Sequence, residues 1–171
     1  MASSTLPRVR RIVTGHDSRT GLANVEWDSM LAFEEIPGMT GAMAAPVWVS
    51  EGLPTTDNNS AQDGGLRLVD GIVHPTGTNL RATDLAPGTE TPMHRTTSLD
   101  YNILLEGEVI LIMEDGSQTH LKTPGDTVVM RGGMHAWRNP STSSWARWTS
   151  VIIPAEPAVV GGQVLQAEIK T

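Results

Sequence analysis

Between residues 79 and 153 no run of side chains continues for long, and that rhythm limits the folds open to the chain. Residues 79–85 alternate, with Leu80, Ala82 and Asp84 opposite Arg81, Thr83 and Leu85, until Ala86-Pro87-Gly88 breaks the pattern. Runs at 99–105, 109–113, 118–121, 126–130, 136–139 and 146–153 follow, parted by Glu106-Gly107, Asp115-Gly116 and similar turn formers. Strict alternation puts successive side chains on opposite faces of a strand, and an Asp-Gly pair between two such runs signals a hairpin. No stretch carries the apolar period of a long amphipathic helix. Antiparallel strands at intervals of about 8–12 residues predict an all-β sandwich or barrel.

The rest of the chain reads as part of the same domain, since 171 residues correspond to about one domain of 100–200 residues. Residues 1–8 are expected as a flexible tail and 9–78 as N-terminal strands and loops. Residues 79–153 form the barrel core, and 154–171 a C-terminal strand or extension. Runs at 10–13 and 24–27 read as strands around a turn carrying Gly15, Asp17, Ser18 and Gly21. Residues 30–43 have no clear period; a helical turn is expected near 30–34, ended by Pro37-Gly38. Residues 47–51 read as a strand, and polar 55–65 as a mobile surface loop.

Charge and composition remove several functions. Twelve Lys and Arg against nineteen Asp and Glu leave a formal charge of −7. That balance offers no basic stripe for phosphates and predicts no nucleic-acid partner and no anionic membrane surface. Only Lys122 and Lys170 are lysines; the other cations are arginines, which suit planar bidentate partners. With no Cys, a thiolate ligand or nucleophile is excluded. The first residues lack the apolar core of a signal peptide, and the longest apolar runs are too short to span a bilayer. A cytoplasmic protein is the expectation.

Two constellations carry chemistry. Gly88, His94, Thr96, Asp100 and Gly107 make the first; Gly125-Asp126, Gly132, His135 and Asn139 make the second. On a strand, His94 and Thr96 share a face, and Asp100 can project from the next strand into the same space. A His held by a carboxylate inside an apolar barrel has a pKa tunable near neutrality, which suits proton abstraction beside a carbonyl. The competing reading is two satisfied interior histidines, with Asp100 accepting from a backbone N–H or from Arg95. Arg81 either clamps a substrate carboxylate or pairs with an acidic neighbour. Asn139 reads as a turn cap, and His16, His74 and His120 as surface residues. Trp145 and Trp148 are candidates for a dimer interface.

These motifs resemble those of the cupin family. The family's first motif is Gly, five residues, His, one residue, His, three or four residues, Glu, six residues, Gly. Its second is Gly, five residues, Pro, one residue, Gly, two residues, His, three residues, Asn. Here Met130 stands at the Pro place, with one residue fewer before it. The wording Met93-His94-Arg95-Thr96, Leu99-Asp100-Tyr101 and His135-Ala136-Trp137-Arg138-Asn139 is similar to a subgroup of small single-domain cupins found in bacteria and in fungal secondary-metabolite pathways. The opening 10–17 is similar to it too. The resemblance implies a cupin-type antiparallel β-barrel or jelly roll with an N-terminal strand extension, an interior site and a homodimer.

The resemblance also implies a divalent metal on three His and a Glu, and here the chain departs from it. Thr96 stands for the second His, and Asp100 for the Glu, which shortens that arm by about 1.5 Å. His94, Asp100 and His135 still match the two-His-one-carboxylate pattern of non-haem iron. Three functions therefore stay open. One is a cofactor-free lyase or isomerase that dehydrates or decarboxylates a polyketide-like carbonyl compound. In it His94, Asp100 and His135 are catalytic, and Thr96, Met93, Trp48, Tyr101, Met113 and Trp137 line the substrate. The second is a metal-dependent dioxygenase with Fe, Zn or Mn on the same triad, and the third a non-catalytic ligand-binding cupin.

Overall fold

A computed structural model of the protein describes residues 4–170. In chain order the strands are β1 (Arg10–His16), β2 (Ala23–Met30), β3 (Glu34–Glu35), β4 (Ala42–Ser50), β5 (Thr78–Leu85), β6 (His94–Arg95), β7 (Ser98–Glu106) and β8 (Val109–Met113). They continue with β9 (Gln118–Leu121), β10 (Thr127–Arg131), β11 (His135–Arg138), β12 (Ala146–Pro154), β13 (Ala158–Val160), β14 (Gln163–Leu165) and β15 (Glu168–Ile169). Two short 3₁₀ turns lie between β4 and β5, and the described residues contain no α-helix. Among the described residues no helix is long and apolar enough to cross a membrane.

A six-stranded sheet runs β10-β7-β12-β5-β4-β3, and a five-stranded sheet β15-β6-β11-β8-β9; β1-β2 and β13-β14 are separate ribbons. The two large sheets face each other as the expected all-β jelly roll. Alternation sets what lies between them. On β7, Ser98, Asp100, Asn102 and Leu104 are buried while Tyr101 and Leu105 are exposed. On β12, Ala146, Trp148, Ser150 and Ile152 point inward. Leu85, Leu104, Val109, Leu111, Leu121 and Ala146 fill one end. Trp137 and Trp148 belong to that core and also bound the open space beyond it. The inward residues of β5, β12 and β7 stand in rungs. Asn79 pairs with Ile152 and Ile152 with Asp100; Arg81 pairs with Ser150 and Ser150 with Asn102; Thr83 pairs with Trp148 and Trp148 with Leu104.

Several local expectations change. At the turn formers Glu106-Gly107 the chain passes from one sheet to the other, because β7 pairs with β10 and β12 while β8 pairs with β9 and β11. Gly107 is required: its φ is 71°, and a Cβ would meet the Trp145 carbonyl at 2.7 Å. The hairpin signal at Asp115-Gly116 does join β8 to β9. No helical turn forms at 30–34, where β2 ends and the edge strand β3 begins. Segment 55–65 is pinned, since Arg11 bonds Asp63 at 2.8 and 2.6 Å and Asp57 receives Trp48 Nε1 at 2.7 Å and Arg67 at 2.9 Å. Trp145 and Trp148, each 6% exposed, pack inside the chain and present no free aromatic face.

Of the expected tail, residues 1–3 lie outside the described region. Pro7 is anchored: its carbonyl accepts from Arg147 Nη1 at 2.6 Å. The same guanidinium makes two 2.6 Å bonds to the carboxylate of fully buried Asp84, its neighbour across β12 and β5. It also lies 4.7 Å from the Phe33 ring centroid. This cluster covers the outer face of the six-stranded sheet and leaves the inner face to the cavity.

Candidate active site

His94 on β6 and His135 on β11 are register partners. Their ring centroids lie 4.4 Å apart at an interplanar angle of 46°. Each Nδ1 bonds a backbone carbonyl two residues back, Pro92 O at 2.8 Å and Gly133 O at 2.9 Å. A carbonyl oxygen only accepts, so both Nδ1 atoms carry the hydrogen and each neutral ring keeps its lone pair on Nε2. The edge of His135 meets Trp137, with centroids 5.8 Å apart at 84°. His135 is 3% exposed. Burial first, and the nearby charge of His94 second, push its pKa down to about 4.

Asp100 faces the same space from β7, on the other sheet. It is 6% exposed, and its Oδ1 is buried with no hydrogen-bond partner. Burial raises its pKa; the Ser98 hydroxyl and the charge of His94 pull the other way. Arg95 pairs instead with Glu114 at 3.3 Å. The bland reading of Asp100 as an acceptor for Arg95 therefore fails, and so does its expected role of orienting an imidazole, which backbone carbonyls perform. Unpaired buried polar atoms are rare in native folds, which singles this carboxyl out.

The three groups border a cavity of about 560 Å³. Thr96 and Trp137 line it as expected, although Thr96 lies just past β6; its Oγ1 accepts from Ser98 Oγ at 2.8 Å. Four other expected lining residues do not. Tyr101 alternates outward from Asp100 and is 38% exposed. Trp48 lies beyond a register shift after Pro46, and packs at 6.3 Å against Trp27. Met113 packs against the core cluster, and Met93 is not among the cavity residues. In their place stand Arg81, Thr83, Asn102, Trp148, Ser150 and Ile152. Polar residues at inward positions of alternating runs were the signal for Arg81 and Asn102. Among the described residues Arg81 pairs with no acidic neighbour, which corrects the ion-pair expectation. Asn139 is structural: its Nδ2 donates to Leu85 O and Ser144 O, both at 2.9 Å, and its Oδ1 accepts from Ser141 N.

The two Nε2 atoms are suitable metal donors, but a third is lacking. Among the described residues no group of three His, Cys, Asp or Glu side chains could hold a metal ion. Thr96 offers a hydroxyl where the family pattern has imidazole, and Asp100 with its shorter arm does not complete a triad. The residues present do not fit the family's metal site.

Two facing β-sheets that enclose a pair of imidazoles between short strands define a cupin-type jelly roll. A cupin-domain-containing oxidoreductase of Neurospora crassa is 30% identical over 160 residues, 93% of this chain and 80% of that protein, and the chain belongs to this cupin family. Phomopsin biosynthesis cluster protein D of Diaporthe leptostromiformis is 43% identical over 95 residues, 56% of this chain. The match spans about half (50%) of that relative's length. The polyketide cyclase RemF from Streptomyces resistomycificus shares the fold, with a TM-score of 0.50 at 17% identity over 71% of this chain and 72% of that one. No family model matches the sequence.

Proposed function

We propose that the protein is a biosynthetic lyase or isomerase, a dehydratase acting on a polyketide-like carbonyl compound by acid–base chemistry. The observation that carries this reading is a pair of imidazoles with free Nε2 atoms sharing a cavity with a carboxyl whose buried Oδ1 has no partner and whose pKa is raised. His94 Nε2 takes the proton from the carbon beside the carbonyl, and the C–H electron pair moves into an enolate. As the enolate reforms the carbonyl, the C=C bond forms and the C–O bond breaks, and Asp100 delivers its proton to the departing hydroxyl as water. The imidazolium proton then returns to Asp100. His135, with its pKa near 4, stays neutral at pH 7 and accepts a hydrogen bond. The substrate class rests on the resemblance to pathway cupins and on a relative named for a biosynthesis cluster.

An oxidoreductase is the rival, supported by the name of the Neurospora relative. The test uses an aryl-substituted cyclic β-hydroxy ketone in deuterium oxide with dioxygen removed. Deuterium entering beside the carbonyl, and loss of water at the same rate with or without dioxygen, support the proposal. Turnover that requires dioxygen, or no exchange above the rate with His94→Ala protein, overturns it.

A further inference from the structure

The lyase reading uses the imidazole pair and Asp100 but leaves two donors in the same cavity without acceptors. Arg81 lines the cavity from β5, where burial lowers its pKa. Among the described residues its guanidinium has no hydrogen bond or ion pair, and neither Asp70 nor Glu168, the other acidic residues bordering the space, comes within 4.0 Å of it. Asn102 lines the cavity from β7, and its Nδ2 is buried with no partner. Its amide is held by Ser150, whose Oγ donates to Asn102 Oδ1 at 2.6 Å and leaves the NH₂ end to the cavity.

Register places these groups together. Arg81 pairs with Ser150 and Ser150 with Asn102, so the three stand side by side on one inward rung. Strands lie about 4.8 Å apart, so the Arg81 and Asn102 backbones are about 10 Å apart and both side chains can reach an object between them. The next inward rung holds Asp100, about 7 Å along the strand. The buried Asn102 amide without an acceptor is costly unless something accepts from it, and the half-buried Arg81 guanidinium beside it adds a cation with no acceptor among the described residues. The remaining walls include Ile36, Met39, Val73, Trp148 and Ile152.

We propose that Arg81 and Asn102 form a carboxylate subsite, and that the cavity takes a conjugated or aromatic carboxylic acid. This rests on the cavity being the substrate site. Planar guanidinium suits a carboxylate's paired oxygens. A carboxylate fixed there is an anchor beside the reacting carbons and not a leaving group, which favours dehydration over decarboxylation.

The test compares cinnamate with methyl cinnamate by calorimetric titration of the whole protein, with quenching of tryptophan fluorescence as a second readout. Cinnamate is expected to bind roughly tenfold or more tightly than the ester, the usual advantage of a charged hydrogen-bonded pair. In Arg81→Gln the preference should vanish, and in Arg81→Lys part of it should remain. Equal affinity of acid and ester for the wild-type protein overturns the proposal, and so does an unchanged preference in folded Arg81→Gln. The wild-type comparison decides even if that variant does not fold. Deuterium exchange and acid preference are separate readouts, so the lyase reading and this one can fail independently.

Discussion

His94 and His135 face each other across β6 and β11, 4.4 Å between ring centroids, yet each is oriented by its own backbone, through Nδ1 to a carbonyl two residues earlier. The backbone fixes each Nδ1–H without a carboxylate. Both Nε2 atoms remain for the cavity, and burial of Asp100 raises its pKa.

Burial of His135 makes stability depend on pH. Its folded pKa is about 4, below the 6.5 of a free imidazole side chain. The unfolded chain therefore binds more protons, and stability falls as pH drops from about 6.5 towards 4. Between pH 7 and 5 the loss through this one group is about 2 kcal/mol. Asp100 acts in the opposite sense, because its raised pKa removes stability as pH rises through the carboxylate range. Urea unfolding of wild-type and His135→Gln proteins at both pH values checks this. The variant should lose less, and parallel losses would refute the assignment.

Asp100→Asn separates the two proton transfers. The amide keeps the shape but has no acidic proton. Exchange beside the carbonyl should persist, while elimination of water should slow by about 10²-fold or more. His94→Ala should remove both. Equal loss of both reactions in Asp100→Asn would assign Asp100 to the first step and contradict its role as acid.

Much of this arrangement is legible before folding. Alternation on 79–85 assigns Arg81 and Thr83 to one face, and both line the cavity; the same alternation on β7 turns Tyr101 away from Asp100, although the residue types alone suggest both for the site. Periodicity is silent on which runs pair, so it does not show that the turn at Glu106-Gly107 joins two sheets. Two-residue strands such as β6 and β15 have no period to detect, although β15 borders His94. Trp48 misleads because a register shift between Pro46 and Trp48 re-aims the end of β4. The ion pairs that pin 55–65 join residues far apart in the chain, such as Arg11 and Asp63, and no local pattern announces them.

The Asp84–Arg147 pair should dominate the stability of the outer face. Asp84 is fully buried and takes two 2.6 Å bonds from Arg147. Asp84→Ala leaves a buried guanidinium uncompensated and should cost about 3–5 kcal/mol. The double variant Asp84→Leu with Arg147→Met should recover part of that loss, because no unpaired charge stays behind. Arg147→Met also frees the Pro7 carbonyl, so proteolysis near residue 8 should quicken in the double variant and less in Asp84→Ala. Urea unfolding and timed proteolysis read the two effects separately.

Trp48 tests where the functional space ends. Its indole N–H donates to Asp57 at 2.7 Å, and its ring faces Trp27 and the Arg67 guanidinium, away from the imidazole pair. Trp48→Phe removes that hydrogen bond and should cost about 1 kcal/mol in urea unfolding. It should leave deuterium exchange and cinnamate affinity within about twofold of wild type, as expected of a change outside the site. Ile152 presents the opposite case: it lines the cavity between Asn79 and Asp100. Ile152→Phe should narrow that space and weaken cinnamate binding, with overpacking costing about 1–3 kcal/mol of stability. If Trp48→Phe weakened binding and Ile152→Phe did not, the reacting space would lie on the other side of the six-stranded sheet.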